Sequence, residues 1–337
     1  MTKNALSIFV FLLIAFGLSW LISLPLWLGD GLADPLFAVV ALAMMFTPAI
    51  AAIIVVFVLE RPRNKARVLG LWPLKPAGRL IGYLALGLTV PVALILVALP
   101  VGAVLGVYPA DFVTFSAFQE MLDAQMKSAG ASALPIPIGV LVGLQFINVL
   151  VGAFINLVPA LGEELGWRGW LLPKLMRLGT VPALLLSGVI WGLWHAPLIL
   201  LGYNYPGAPG WLGLTMMIGM CTVVGAVFGW LRLRSDSVWP AALAHGAFNA
   251  AAGFSLVFAA AGESIDTTQA TILGWSGWIV PLVLVVVLIA TKQFTPEHVP
   301  TSKDRLVEGA TVATNRWPSP SGQSNVTKSP GTTREQT

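Results

Sequence analysis

Charge is scarce in this chain: Asp, Glu, Lys and Arg make up 10% of it, against 57% apolar residues and a mean hydropathy of +0.83. That shortage excludes a water-facing surface over most of the length, so the solvent is lipid. Cysteine is scarcer still. The one cysteine, Cys221, lies in an apolar stretch, which excludes a disulfide framework and a thiolate metal site and leaves it as packing filler. The net charge of +4 would hint at acidic partners in a soluble protein, but in lipid where the charges fall matters more than their sum, and no nucleic-acid partner is expected.

What the chain has instead is long apolar runs. Crossing roughly 30 Å of hydrocarbon takes about 20 apolar residues per helix. Runs of that kind cover 5–28, 34–59, 80–107, 137–172, 181–202, 211–231, 237–261 and 272–291, which predicts an all-α, polytopic transmembrane helix bundle of eight spans. The first run is too long for a signal-peptide core and has no clear small-residue cleavage site, so it is read as a true span. The domain reading is a transmembrane helical domain over 1–292 and a disordered cytoplasmic tail over 293–337. From Thr295 on, the tail is rich in Pro, Ser, Thr, Gly and charge, and His298 within it is not expected to do chemistry.

Lysine and arginine set the orientation. With the N-terminus inside, Lys3, the cluster Arg61 to Arg79, then Arg168, Lys174 and Arg177, then Arg232 and Arg234, and the tail all lie on the inner side. Of the 19 Lys and Arg residues only Lys127 falls outside. This separation is what the positive-inside rule demands, and it places both termini in the cytoplasm. Trp27, Trp211, Trp275 and Trp278 at the outer ends and Trp230 and Trp239 at the inner ends agree. The outer loop over 108–134 has mixed apolar spacing from Phe112 to Met126, consistent with a short interfacial helix. Gly139 with Gly143, Gly188 with Gly192 and Gly225 with Gly229 are spaced to let helix backbones approach closely.

Within the spans, apart from Asp34 at the outer edge of the second, the only carboxylates expected are Glu163 and Glu164, and the only histidines His195 and His245. An ionisable group at mid-bilayer costs about 3 kcal/mol or more and is by default a functional feature. At about 1.5 Å of rise per residue, Glu163 lies roughly 15 Å, His245 roughly 14 Å and His195 roughly 21 Å from the inner ends of their helices. These depths allow one shared cavity, open to the cytoplasmic side.

Spacing sorts the roles. Glu164 and Arg168 are four apart in the acid-first order that favours an ion pair, so Glu164 is mainly Arg168's buried partner. Glu163 is turned about 100° away, has no partner at helical spacing and is the candidate base. Asn249 stands one turn after His245 and offers an amide donor on the same face. Trp191 stands one turn before His195, where its ring shapes the cavity wall.

Glu163-Glu164-Leu165-Gly166-Trp167-Arg168-Gly169, Trp191-Gly192-Leu193-Trp194-His195-Ala196-Pro197 and His245-Gly246-Ala247-Phe248-Asn249 resemble the three signature motifs of the CAAX protease and bacteriocin-processing (CPBP) family of intramembrane endopeptidases. The resemblance covers about 137–255, the expected catalytic core. It departs at Trp191, where the family often has Phe. The resemblance implies that Glu163 activates water, that Glu164 and Arg168 support it, and that His195, His245 and Asn249 complete the site.

The expected reaction is hydrolysis of a peptide bond. Water held between Glu163 and His195 attacks the carbonyl, Glu163 takes the proton, and His245 and Asn249 donate to the oxyanion. The family is often labelled metalloprotease, and Glu163, His195 and His245 have the His2Glu composition of a catalytic zinc site. If all three bound zinc, only Glu164 would remain as base, and Arg168 already occupies it. A glutamate-type mechanism without a metal is therefore the expectation, with zinc as the alternative. A peptide or lipidated peptide is the expected substrate, membrane lipid the other partner, and the cell membrane the location. Two other classes compete, a catalytically silent membrane scaffold such as an immunity protein and a proton-coupled transporter.

Overall fold

A computed structural model describes residues 3–130 and 136–294. The expected tail from Thr295 onward, His298 included, lies outside them.

The described residues form a bundle of helices with no β-strand, as a chain in hydrocarbon must when every backbone amide and carbonyl has to be satisfied within its own segment. In chain order the helices are α1 (Lys3–Leu28), α2 (Phe37–Met44), α3 (Thr47–Ile54), the short α4 (Lys65–Val68), α5 (Ala77–Val104), α6 (Ser116–Ser128) and α7 (Ile138–Glu164). They are followed by α8 (Leu172–Leu175), α9 (Thr180–Trp194), α10 (Ala196–Ile199), α11 (Gly210–Ser235), α12 (Trp239–Ala251), α13 (Phe254–Val257) and α14 (Ile279–Ala290).

Five helical stretches are long and apolar enough to cross a membrane: Lys3–Leu28, Phe37–Glu60, Ala77–Val104, Ile138–Leu178 and Gly210–Ser235. Their surfaces are inverted relative to a water-soluble protein. Leu13, Val39, Ile81, Ile155 and Val158 are all more than 60% exposed, while Ser19, Thr47, Glu163, Glu164, Arg168 and His245 are buried. The protein is a polytopic helical membrane protein.

Three of the expected spans are shorter than the hydropathy implies. The run 181–202 is helical as α9 only to Trp194, because Pro197 cannot continue the hydrogen-bond ladder, and His195 sits at the break. The run 237–261 holds the 13-residue α12, and 272–291 ends in the 12-residue α14. The interfacial helix of the outer loop forms as α6, four residues later than its apolar pattern begins, with Asp111 ahead of it accepting from the backbone amides of Thr114 and Ser116. Hydroxyl donors from Thr114 and Ser116, followed by these amides, hold the Asp111 carboxyl well below the usual carboxylate range.

The small-residue pairs divide. Gly188 and Gly192 of α9 lie against α11, where an added Cβ would stand 2.4 Å from the Thr222 Cα and 2.5 Å from the Ile218 Cα. At Gly139 and Gly143 an added Cβ would meet only open space, so that pair does not pack a helix as expected. An equally tight contact carries no such spacing. At Gly246 of α12 an added Cβ would lie 2.5 Å from the Ala153 carbonyl of α7, and this approach brings His245 to the α7 face.

Candidate active site

The site begins where α7 changes pitch. Directly after Glu164 the chain runs as a π-helix over Leu165–Leu171, every residue of it buried. Such segments are short, costly and frequent at functional positions. Here Gly166 lies so close to Pro48 of α3 that an added Cβ would meet its atoms at 2.5 Å, and Trp170 stacks on Phe11 of α1 at 4.8 Å between ring centroids. The end of α7 is thus gripped by α1 and α3, and the acid pair is held with it.

Glu164 is fully buried, and its Oε1 accepts from two cationic or imidazole donors. Arg168 Nη1 lies 2.7 Å away and His245 Nδ1 3.0 Å away. The expected Glu164–Arg168 pair is present, and the structure adds His245 to it from α12. A carboxylate only accepts, so Nδ1 of His245 carries a proton and Nε2 is turned to other work.

Arg168 is 1% exposed and leaves Nε and Nη2 without hydrogen-bond partners. Aromatic faces take their place: its guanidinium lies 4.1 Å from the Trp191 ring centroid and 5.5 Å from that of Phe228. Gly225 of α11 makes the room, since a Cβ there would stand 2.5 Å from Arg168 Nη2. The same two rings hold His245, Phe228 stacked at 5.6 Å and Trp191 edge-on at 5.4 Å.

Glu163 is 3% exposed and has no partner on its own helix, as its spacing implied. Its partner comes from α9, where Trp191 Nε1 donates to Oε2 at 2.7 Å. Trp191, expected only to shape the wall, is therefore the hub: its indole N–H holds Glu163, its ring covers Arg168 and His245, and its backbone carbonyl lies 2.9 Å from His195 Nδ1. A carbonyl only accepts, so this bond leaves the lone pair of His195 on Nε2.

His195 is half-buried. Trp194 packs edge-on against it at 4.8 Å, and the Trp194 indole donates to Thr47 Oγ1 at 3.1 Å, which in turn meets Ser19 Oγ at 2.7 Å. That relay ties α9 to α3 and α1 beside the histidine. Cys221, read as filler, is buried with its sulfur 3.8 Å from His195 Nδ1.

Asn249 stands apart from this network. It follows His245 by one turn on α12, but its side chain is exposed, and no hydrogen bond among the described residues engages it. Glu163, Glu164, Arg168, Trp191, His195 and His245 are joined by contacts, and Asn249 stands one turn from His245 on α12 without a hydrogen bond to any of them.

Sequence reasoning missed Phe228 and read Gly225 only as a helix-packing glycine. An aromatic and a glycine in an apolar helix carry no signal beyond packing, and only the arrival of Arg168 gives them a role. The zinc set was also tested by geometry. Among the described residues no three His, Cys, Asp or Glu side chains gather as a metal-holding group, and the Nδ1 atoms of His195 and His245 are engaged by Trp191 and Glu164. Glu163, His195 and His245 as placed do not form such a group, and no step below is routed through zinc.

Residues 145–251 match the type II CAAX prenyl endopeptidase family described as Rce1-like, and all three motifs fall within that stretch. A similar protein is CAAX prenyl protease 2 of Methanococcus maripaludis, 33% identical over 96 residues, which cover 27% of this chain and 34% of the relative. The chain thus matches about a third of that curated relative's length. The likeness to the CPBP family read from the three motifs holds.

Proposed function

We propose that this protein is an intramembrane endopeptidase that hydrolyses a peptide bond near the C-terminus of a prenylated or otherwise lipidated peptide. One observation carries the reading. Two carboxylates, two imidazoles and a guanidinium from three helices are gathered in an apolar interior, where each alone would cost about 3 kcal/mol or more. The family match and the name of the relative suggest the substrate class.

In this reading Glu163 is the general base. Its Oε2 is fixed by Trp191, so the carboxylate is held in one orientation toward a water shared with His195 Nε2. The water attacks the scissile carbonyl carbon and passes its proton to Glu163. The tetrahedral oxyanion accepts from His245 Nε2–H and from the amide of Asn249. His245 does this in its doubly protonated form, for which Glu164 supplies the counter-charge while Arg168 balances Glu164 in turn. The C–N bond then breaks, and the proton on Glu163 goes to the leaving amine. The exposed, unengaged amide of Asn249 suits a donor that is satisfied only when substrate arrives.

We place the site on the cytoplasmic side of the cell membrane, with both termini inside, on the distribution of Lys and Arg. The test is cleavage of a farnesylated C-terminal peptide by purified full-length protein in detergent. Wild type is expected to cut it, and Glu163→Gln to retain the fold and lose the cleavage. A Glu163→Gln variant that cuts at the wild-type rate overturns the reading.

A further inference from the structure

A second polar site lies further along the same helical rod. Trp170 is seven residues and Lys174 eleven residues past Glu163, roughly 10 to 16 Å along a helix, so it is separate from the catalytic network. Here a cavity of about 510 Å³ is lined by Arg67, Lys174, Arg177 and Arg232, with Asn64 and Trp170 among its other walls. Four cations on one cavity have two carboxylate neighbours: Glu60 pairs with Lys174 at 2.6 Å, and Asp236 with Arg232 at 3.4 Å. Neither Arg67 nor Arg177 has a carboxylate partner among the described residues.

Arg232, a lining residue of the cavity, is a buried donor short of an acceptor. It is 5% exposed, its one ion pair is long, and its Nε has no hydrogen-bond partner. Burying such a donor is unfavourable unless an acceptor fills the space beside it. Gly70 makes room for the guanidinium, since its φ of +72° is one side chains rarely adopt and a Cβ there would stand 2.8 Å from Arg232 Nε. Residues from α4, α8 and the end of α11 meet here, where apolar helices give way to the basic end of the bundle. Lipid headgroups lie at that level, and basic pockets between membrane helices suit their phosphates.

We propose that this cavity binds a phosphate-bearing anion, the chemistry shared by an acidic phospholipid headgroup and free inorganic phosphate. Arg67 and Arg177 contact its oxygens from the rim, and Arg232 supplies a donor from the buried wall. The size suits a glycerophosphate headgroup, being within the usual range of small-molecule pockets.

The test uses the purified full chain in neutral detergent, with phosphatidylglycerol, phosphatidylcholine or inorganic phosphate as probes. Bound lipid is counted by native mass spectrometry, and binding is followed by the shift in thermal midpoint. Phosphatidylglycerol is expected to bind one to one and raise the midpoint, and phosphatidylcholine to do neither. Arg67→Gln combined with Arg177→Gln, both at exposed positions, should weaken binding at least about tenfold without lowering the midpoint of the lipid-free protein. The equal charge change Arg63→Gln with Lys75→Gln, outside the cavity, should leave it unchanged. A midpoint shift by inorganic phosphate equal to that by the lipid assigns the site to free phosphate, and a shift by the lipid alone assigns it to the headgroup. Equal losses in the two double variants, or no preference for phosphatidylglycerol and no effect of phosphate, overturn the proposal.

Discussion

His245 Nδ1 lies 3.0 Å from Glu164 Oε1, although the two residues are 81 positions apart and Glu164 already holds Arg168. One buried carboxylate thus balances a guanidinium and orients an imidazole. Its second oxygen, Oε2, is buried without a partner, so all of its binding passes through a single atom. This makes Glu164 the electrostatic centre of the site, while Glu163, one residue earlier, is left free of both cations' hydrogen bonds.

The pairing predicts strong coupling. Arg168→Met alone leaves the buried Glu164 carboxylate with His245 as its one remaining partner and should destabilise the protein by about 3–5 kcal/mol. Adding Glu164→Gln removes that under-compensated charge and should recover part of the loss. Thermal unfolding of the two single variants and the double variant in detergent measures the coupling, and simple additivity would show that the pair is not a unit.

Trp191→Phe keeps an aromatic over Arg168 and His245 but deletes the donor to Glu163 Oε2. A hydrogen bond to a charged group contributes about 1.5–3 kcal/mol, so kcat should fall by about tenfold to a hundredfold, with KM unchanged. Steady-state kinetics on the farnesylated peptide separate the two parameters.

Asn249→Ala offers a cleaner separation of catalysis from stability. The side chain is exposed and engages no described residue, so the thermal midpoint should stay at the wild-type value. As an oxyanion donor its loss should lower kcat by about 10²–10³. Unchanged kcat would remove Asn249 from the mechanism.

Gly225→Ala tests the packing that holds Arg168. The new methyl would meet Nη2 at 2.5 Å, so the guanidinium must move off the Trp191 face. The expected cost is about 1–3 kcal/mol in unfolding experiments, accompanied by reduced cleavage. Ala at Gly139, where nothing lies within 4 Å, serves as the neutral control.

Much of this protein is legible without coordinates, because lipid enforces simple rules. Hydrocarbon admits apolar helices and little else, so the long runs that became α1, α5, α7 and α11 stand out by length alone. Charge in that medium is costly enough that Glu163, Glu164, His195 and His245 are conspicuous in any reading. Helical periodicity then pairs Glu164 with Arg168, and the pair is present.

What periodicity cannot reach is the partner on another helix. The partner of Glu163 is Trp191 on α9, and that of Glu164 is also His245 on α12. Neither follows from spacing, since residues on different helices have no fixed phase relative to one another. Hydropathy also overran the true ends of α9 and α12, because an apolar loop beside a helix break scores like the helix itself.

The amino-acid sequence by itself determined that the chain is helical, lives in a membrane and keeps a few ionisable groups inside it, because the cost of backbone and charge in oil is a local property of each segment. Only the tertiary structure decided which of those groups touch, that Trp191 joins them, that Asn249 stays unengaged and that basic residues from three segments wall one cavity. Those outcomes depend on how closely one helix can approach another, which is set by the glycines and side chains of both and is written in neither alone.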